Sequence, residues 1–334
     1  MLHFAERIYV AGHTGMVGSA IVRQLVRVGH PKSHIITRQR DELDLTNQAA
    51  VQAFFEKEKP DQVYLAAAHV GGGTAQETQP VDFLYRNLMI QANVIEAAFR
   101  AGVKKLLLVA SQHSYPVTTL QPMYEADLLC GPLDPLHAPG AAAEIAGIQL
   151  CESYNRQYGH SQGVDYRCVL SCEVYGPGDN YRPGFGRTIP TLIRRFHDAA
   201  QSRADSVWLS HNSQARLESL FVDDMSEACV YVMEMAKTTF REAGRGAGSH
   251  INVGSGYDVS LLELAQTVAQ AAGYRGEILF DSQNPDTAPN RRLLEVCRLS
   301  DLGWEPMMDL HNGLEISVMD YKLHHAARQP AAHA

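Results

Sequence analysis

Near the N-terminus the chain reads Gly12-His13-Thr14-Gly15-Met16-Val17-Gly18, directly after a short apolar run and directly before an amphipathic one. Glycines at the first, fourth and seventh places permit a tight turn, close approach of backbone amides to a phosphate, and close packing of a helix on a strand. A strand, such a turn and a helix open a βαβ unit, with the positive end of the helix facing an anion. The spacing is GxxGxxG rather than GxGxxG, and Gly12, Thr14, Gly15, Met16 and Val17 are the residues it places around a pyrophosphate.

The rest of the first half repeats that alternation. Apolar runs at 7–11, 34–37, 62–66, 105–110 and 166–170 read as strands, and amphipathic stretches at 16–28, 47–57, 81–100 and 141–158 as helices. Right-handed crossovers turn this pattern into an α/β, doubly wound parallel sheet of Rossmann type. Beyond Tyr175 the character changes. Residues 176–186 are rich in Gly and Pro and read as a loop, followed by strands at 207–210, 219–222 and 250–253 and helices at 261–272 and 310–324. The length of 334 residues suits one large domain plus a smaller, discontinuous C-terminal substrate lobe. The expected division is 1–175 with 219–256 for the dinucleotide and 176–218 with 257–324 for the substrate, leaving 325–334 as a disordered tail.

Past the second strand the chain reads Thr37-Arg38-Gln39-Arg40-Asp41-Glu42, where an acidic residue would hold the ribose hydroxyl of NAD. Two arginines arrive first, which favours NADP(H); the acids that follow keep NAD open. Ala66, Ala67 and Ala68, after the third strand, offer close walls to the dinucleotide. A net charge of −8 argues against a nucleic-acid binder, and no apolar run is long enough to cross a bilayer, so a cytoplasmic protein is expected. The six cysteines lack CxxC pairs and read as reduced thiols, and the histidines lack ligand spacing, so no metal is expected.

The segments VAGHTGMVGSAIVRQL, RDELDL, QVYLAAAHVGG, KLLLVAS, EIAG, LCESYNRQYG, VYGPGDN, IPTLIRRFH, FVDDM, INVGSG and LGW together resemble the GDP-L-fucose synthases, extended short-chain dehydrogenases. The likeness runs from about residue 7 to residue 304. It implies NADPH, GDP-4-keto-6-deoxymannose and a homodimer formed through two helices per subunit. It also implies a set of reacting side chains, and here the sequence departs. Ser111 stands where the family has the serine that holds the keto oxygen. His113 stands where the family has an acid/base cysteine, and Arg187 where it has the second epimerisation residue, a histidine. Glu173 replaces an asparagine. The reductase tyrosine and lysine are replaced by Gly140 and Glu144. Glycine supplies no proton, and glutamate reverses the charge of the lysine.

These replacements leave three readings. In the first, Ser111, His113, Glu144, Glu173 and Arg187 carry altered chemistry on a nucleotide-sugar, His113 as a base and Arg187 as an anion holder. In the second, the chain is a non-catalytic binding partner of an active paralogue. Arg187, Arg194, Arg195 and segment 281–295 would then still hold a diphosphate, with Arg291 and Arg292 as contacts or else as a solvated pair at a helix start. In the third, the family reaction persists with Tyr115 or His113 as the acid.

Overall fold

A computed structural model describes residues 5–209, 212–244, 248–280 and 291–324. The expected tail lies outside these residues, as does most of segment 281–295. The first half runs β1 (Ile8–Ala11), α1 (Met16–Arg27), β2 (Ile35–Ile36), α2 (Gln48–Glu58), β3 (Gln62–Leu65), α3 (Gly73–Thr78), α4 (Pro80–Arg100), β4 (Lys105–Ser111), α5 (Ala138–Tyr158) and β5 (Asp165–Ser171). Next come β6 (Glu173–Tyr175), α6 (Thr188–Ser202), β7 (Ser206–Leu209), β8 (Arg216–Phe221), α7 (Val222–Glu234), α8 (Lys237–Ala243) and β9 (His250–Val253). The chain continues through β10 (Asp258–Ser260), α9 (Leu261–Ala272), β11 (Glu277–Phe280), β12 (Arg291–Arg292), α10 (Cys297–Asp301) and α11 (Leu310–His324).

Six strands form one parallel sheet in the order β2-β1-β3-β4-β5-β9. Helices cover both faces, so β1, β3, β5 and β9 are buried along their whole length; β1 is an unbroken apolar run, whereas β5 and β9 also bury the polar residues Asp165, Arg167, His250 and Asn252. The order reverses between β1 and β3, which sets the turn after β1 beside the chain leaving β3, the place where open α/β sheets bind ligands.

A second hydrophobic core lies outside that sheet, built from Tyr175, Ile193 and Phe196 with Leu264, Val268, Leu314 and Val318. It joins α6, α9 and α11 to the short pair β7–β11. A capping box between Ser260 and Glu263 opens α9, and Gly273 in the left-handed region closes it. β8 pairs with β6, β10 and β12, so one strand gathers the chain leaving the main sheet and the returning segments.

Two features of the layout differ from expectation. The strand expected at 219–222 is observed as β8, Arg216–Phe221, which starts three residues earlier; Val222 opens α7, and Asp223 and Asp224 occupy its first turn, where carboxylates suit the helix dipole. Arg291 and Arg292 form β12 beside β8 rather than a solvated pair at a helix start. The IPTLIRRFH segment lies within α6, whose buried face carries Ile189, Leu192, Ile193 and Phe196. All six cysteines are free thiols, four buried, with Cys130 and Cys297 exposed. Among the described residues, no helix is long and apolar enough to cross a membrane.

Candidate active site

The cleft has two ends. At the first, Gly12 adopts φ +86°, and a Cβ there would lie 2.7 Å from the backbone of Ala67. A Cβ on Gly18 would strike the Gly12 carbonyl. Gly15 caps α1 without any side-chain hydrogen bond, which leaves the first amides of that helix for a ligand. Ala66 and Ala67 are half-buried behind this turn and Ala68 is exposed. The residues therefore fit a dinucleotide pyrophosphate, with a cradle that any side chain at Gly12 or Gly18 would fill. Arg38 does not stand free at this end: it donates to Glu58 at 2.7 Å and lies over the Phe54 ring. Arg40 is exposed in the turn after β2.

The second end is built where β4 runs into the 3-10 turn Gln112–Ser114 and where α5 begins. Glu144, on α5, points its Oε2 at that turn and accepts from the Ser111 amide (3.0 Å), the Ser111 hydroxyl (2.9 Å) and the Ser114 hydroxyl (2.8 Å). Its burial raises the carboxyl pKa above the usual range, against the pull of those three donors. The Ser111 proton is thus directed at Glu144. Gly140, one turn earlier, has space for a Cβ: the nearest atoms would be in ordinary van der Waals contact at 3.9 Å and 4.0 Å, on Gln76 and Phe83.

His113 stacks on His137, ring centroids 3.8 Å apart and nearly parallel at 10°. His137 Nδ1 lies 3.0 Å from Asp134 Oδ2, and Arg292 approaches the same carboxylate at 3.6 Å. The hydrogen bond from His137 holds the Asp134 carboxyl down at about 2. Burial, with His137 and Arg292 beside it, pushes the His113 imidazole well below its ordinary value, so the ring stays neutral. Asp134 and His137 have no counterpart in the sequence reading; the available signal was their three-residue spacing at the start of α5, one turn before Gly140.

Glu173 and Arg187 are placed together but in a different network. Arg187 donates to the Val174 carbonyl at 2.7 Å and pairs with Asp179 at 3.4 Å, at the N-terminus of α6. Burial raises the Glu173 carboxyl, and Arg187 opposes that shift. Tyr115, which precedes Pro116 and matches a tyrosine that the resemblance implies there, is fully buried and donates to Asn252 at 2.6 Å, so it braces β9, as a structural role requires. Arg291 pairs with Asp258 at the surface, whereas Arg292 is buried and turns towards the His113 end.

A parallel sheet with this turn at its switch point defines an NAD dependent epimerase/dehydratase, and the model of that family matches residues 8–254. Within that class the chain belongs to the GDP-L-fucose synthase family. It is 48% identical to GDP-L-fucose synthase of Escherichia coli (strain K12), over 92% of this chain and 94% of the relative. The GDP-L-fucose synthase of Sinorhizobium fredii is 40% identical over 92% and 93%. Among solved structures, a GDP-mannoheptose C4 reductase from Campylobacter jejuni with NADP bound superposes with a TM-score of 0.84 and 32% identity, covering 96% of this chain and 100% of that one.

Proposed function

We propose that the chain binds NADP(H) and a GDP-linked sugar, with chemistry altered from the proton donation by a Tyr–Lys pair that the resemblance implies for its relatives. The family membership and the glycine turn support the cofactor, and the names of the similar proteins support the GDP-sugar. The pyrophosphate falls to the α1 amides and the 2′-phosphate to Arg40, with Arg38 securing the end of β2 through Glu58. Bound there, the cofactor would supply or accept a hydride.

Glu144 is the observation that carries the altered chemistry. A carboxyl held by three donors cannot act as the cation that acidifies a neighbouring phenol, and Gly140 offers no phenol. The three donors converge on Oε2, so Oε1 remains as an acceptor or acid towards a ribose or sugar hydroxyl. Proton handling then rests with Glu144 and the His113 group. The second reading, a binding subunit for an active paralogue, draws on the same contacts, because the Ser111 and Ser114 protons are both committed to Glu144.

The assembly we propose is a homodimer. Val81, Leu84, Tyr85 and Leu88 form an exposed apolar stripe along α4, at helical spacing, that a second copy would cover. The deciding experiment releases bound nucleotide by denaturation and identifies it by mass, then mixes fresh protein with NADPH and GDP-4-keto-6-deoxymannose. Retained NADP(H) without formation of GDP-fucose is the expected outcome. Rapid NADPH oxidation to that product would overturn the altered chemistry, and absence of any dinucleotide binding would overturn the whole reading.

A further inference from the structure

His113, Asp134 and His137 come from two separate segments, yet one ligand atom from each lies within 4.8 Å of the others. Two imidazoles and a carboxylate are a donor set used for first-row divalent metals, with coordination positions left open for water or substrate. His113 Nδ1 supplies an independent sign: it is shut off from solvent and has no hydrogen-bond partner. Buried polar atoms are rarely left so. The side chain of His137 is 23% exposed, which gives an ion a way in.

We propose that His113, Asp134 and His137 form a binding site for a divalent transition-metal ion, of the zinc or cobalt kind, at the reaction end of the cleft. The ligands are held apart from their coordinating arrangement by two contacts. The imidazoles stack nearly parallel, so one ring must turn before both can direct a lone pair at one ion. Arg292 occupies the Asp134 carboxylate as a resident cation, and an ion must share or displace it. Metal affinity at this site is therefore set by competition with Arg292. The nitrogen and oxygen donors select borderline metals over Mg²⁺ and Ca²⁺, which prefer oxygen alone.

The test uses the full chain after chelator treatment, titrated with Co²⁺ and followed by its visible absorption, with Zn²⁺ affinity taken from competition. One ion per chain, bound with a spectrum of nitrogen and oxygen ligands and not displaced by Mg²⁺, is expected. His137→Gln and Asp134→Asn should each weaken binding by about 100-fold or more, beyond the loss seen for outer partners of metal ligands. Arg292→Gln should tighten binding, an effect that no surface histidine would show. Thermal melts establish that each variant is folded. Unchanged Co²⁺ affinity in His137→Gln would overturn the site and assign the binding to other histidines such as His324. Weaker binding in Arg292→Gln would overturn the competition. Neither readout depends on turnover, so failure here leaves the proposed cofactor and sugar untouched.

Discussion

The two ends of the cleft lie at the same edge of one sheet and are built from different material. The turn after β1 works through backbone: a positive φ at Gly12, a close approach to Ala67 and the free amides of α1. The reaction end works through side chains brought together from β4, the following turn and α5, where Gly140 and Glu144 stand at the positions for which the resemblance implies a phenol and an ammonium, with a stacked histidine pair beside them. A backbone site is closed to most substitutions, because any Cβ fills it. A side-chain site can be rebuilt one residue at a time while the fold stays intact. The comparison therefore predicts a protein that keeps its cofactor and has changed what it does with it.

Gly12→Asp tests the first end most severely. The new Cβ falls 2.7 Å from the Ala67 backbone at a φ that side chains rarely adopt, and the carboxylate repels the pyrophosphate. NADPH binding measured by calorimetry should drop by more than about 100-fold, or about 2.7 kcal/mol. Undiminished affinity would break the assignment of the turn.

Gly140→Tyr with Glu144→Lys attacks the second end. A Cβ at position 140 makes only ordinary contacts, but lysine at 144 strips the acceptor from the Ser111 amide and from the hydroxyls of Ser111 and Ser114. Each buried donor left unpaired costs about 1–3 kcal/mol. The double variant should melt earlier and should not form GDP-fucose at an ordinary rate, since His113 and Arg187 still stand in the epimerisation positions. Full product formation would show that the two replacements alone account for the change.

Glu218 separates burial from function. Like Glu144 it is a buried carboxyl, raised by burial to about 7, but it lies on β8 and accepts from the Gly256 and Leu294 amides, outside the reaction end. Because the folded value exceeds the unfolded one, its contribution to stability is complete below the usual carboxylate range and is lost as pH rises through about 7. Between pH 5 and pH 8 the wild type should lose up to about 3 kcal/mol relative to Glu218→Gln, read from urea midpoints. A pH-independent difference would mean that the carboxyl is ionised throughout.

How far the sequence carries can be seen in these same residues. β1, β3, β4 and β5 announce themselves as short, mostly apolar runs because helices cover both faces of the sheet, and each begins and ends within a residue or so of its expected position. α5 begins three residues earlier than expected, at Ala138, because Pro139 is tolerated in the first helical turn, where no amide bond is lost. α7 is hidden because a strand feeds directly into it, although Asp223 and Asp224 in its first turn are themselves a helix-start signal. Asp134 and His137 were not legible as site residues: their partner His113 is distant in sequence, and only the packing of α5 against the turn after β4 joins them. Gly140, at the place where the resemblance implies a tyrosine, was plain in the sequence, whereas the acceptance of three donors by Glu144 required coordinates.

The smallest expected effect lies at the adenosine end and sharpens the backbone side of the comparison. Arg38 and Arg40 look equivalent in sequence, but Arg38 is committed to Glu58 and to the Phe54 ring, and Arg40 is exposed. Arg40→Ala should therefore lower the preference for NADPH over NADH by about tenfold, about 1.4 kcal/mol, with the melting temperature hardly moved. Arg38→Ala should do the reverse, loosening the contact between the end of β2 and α2 while changing cofactor preference less. Fluorescence titrations with both nucleotides, paired with melts, distinguish the two. If Arg38→Ala alone abolishes the preference, the guanidinium leaves Glu58 when the phosphate arrives, and the adenosine end is a side-chain site as well.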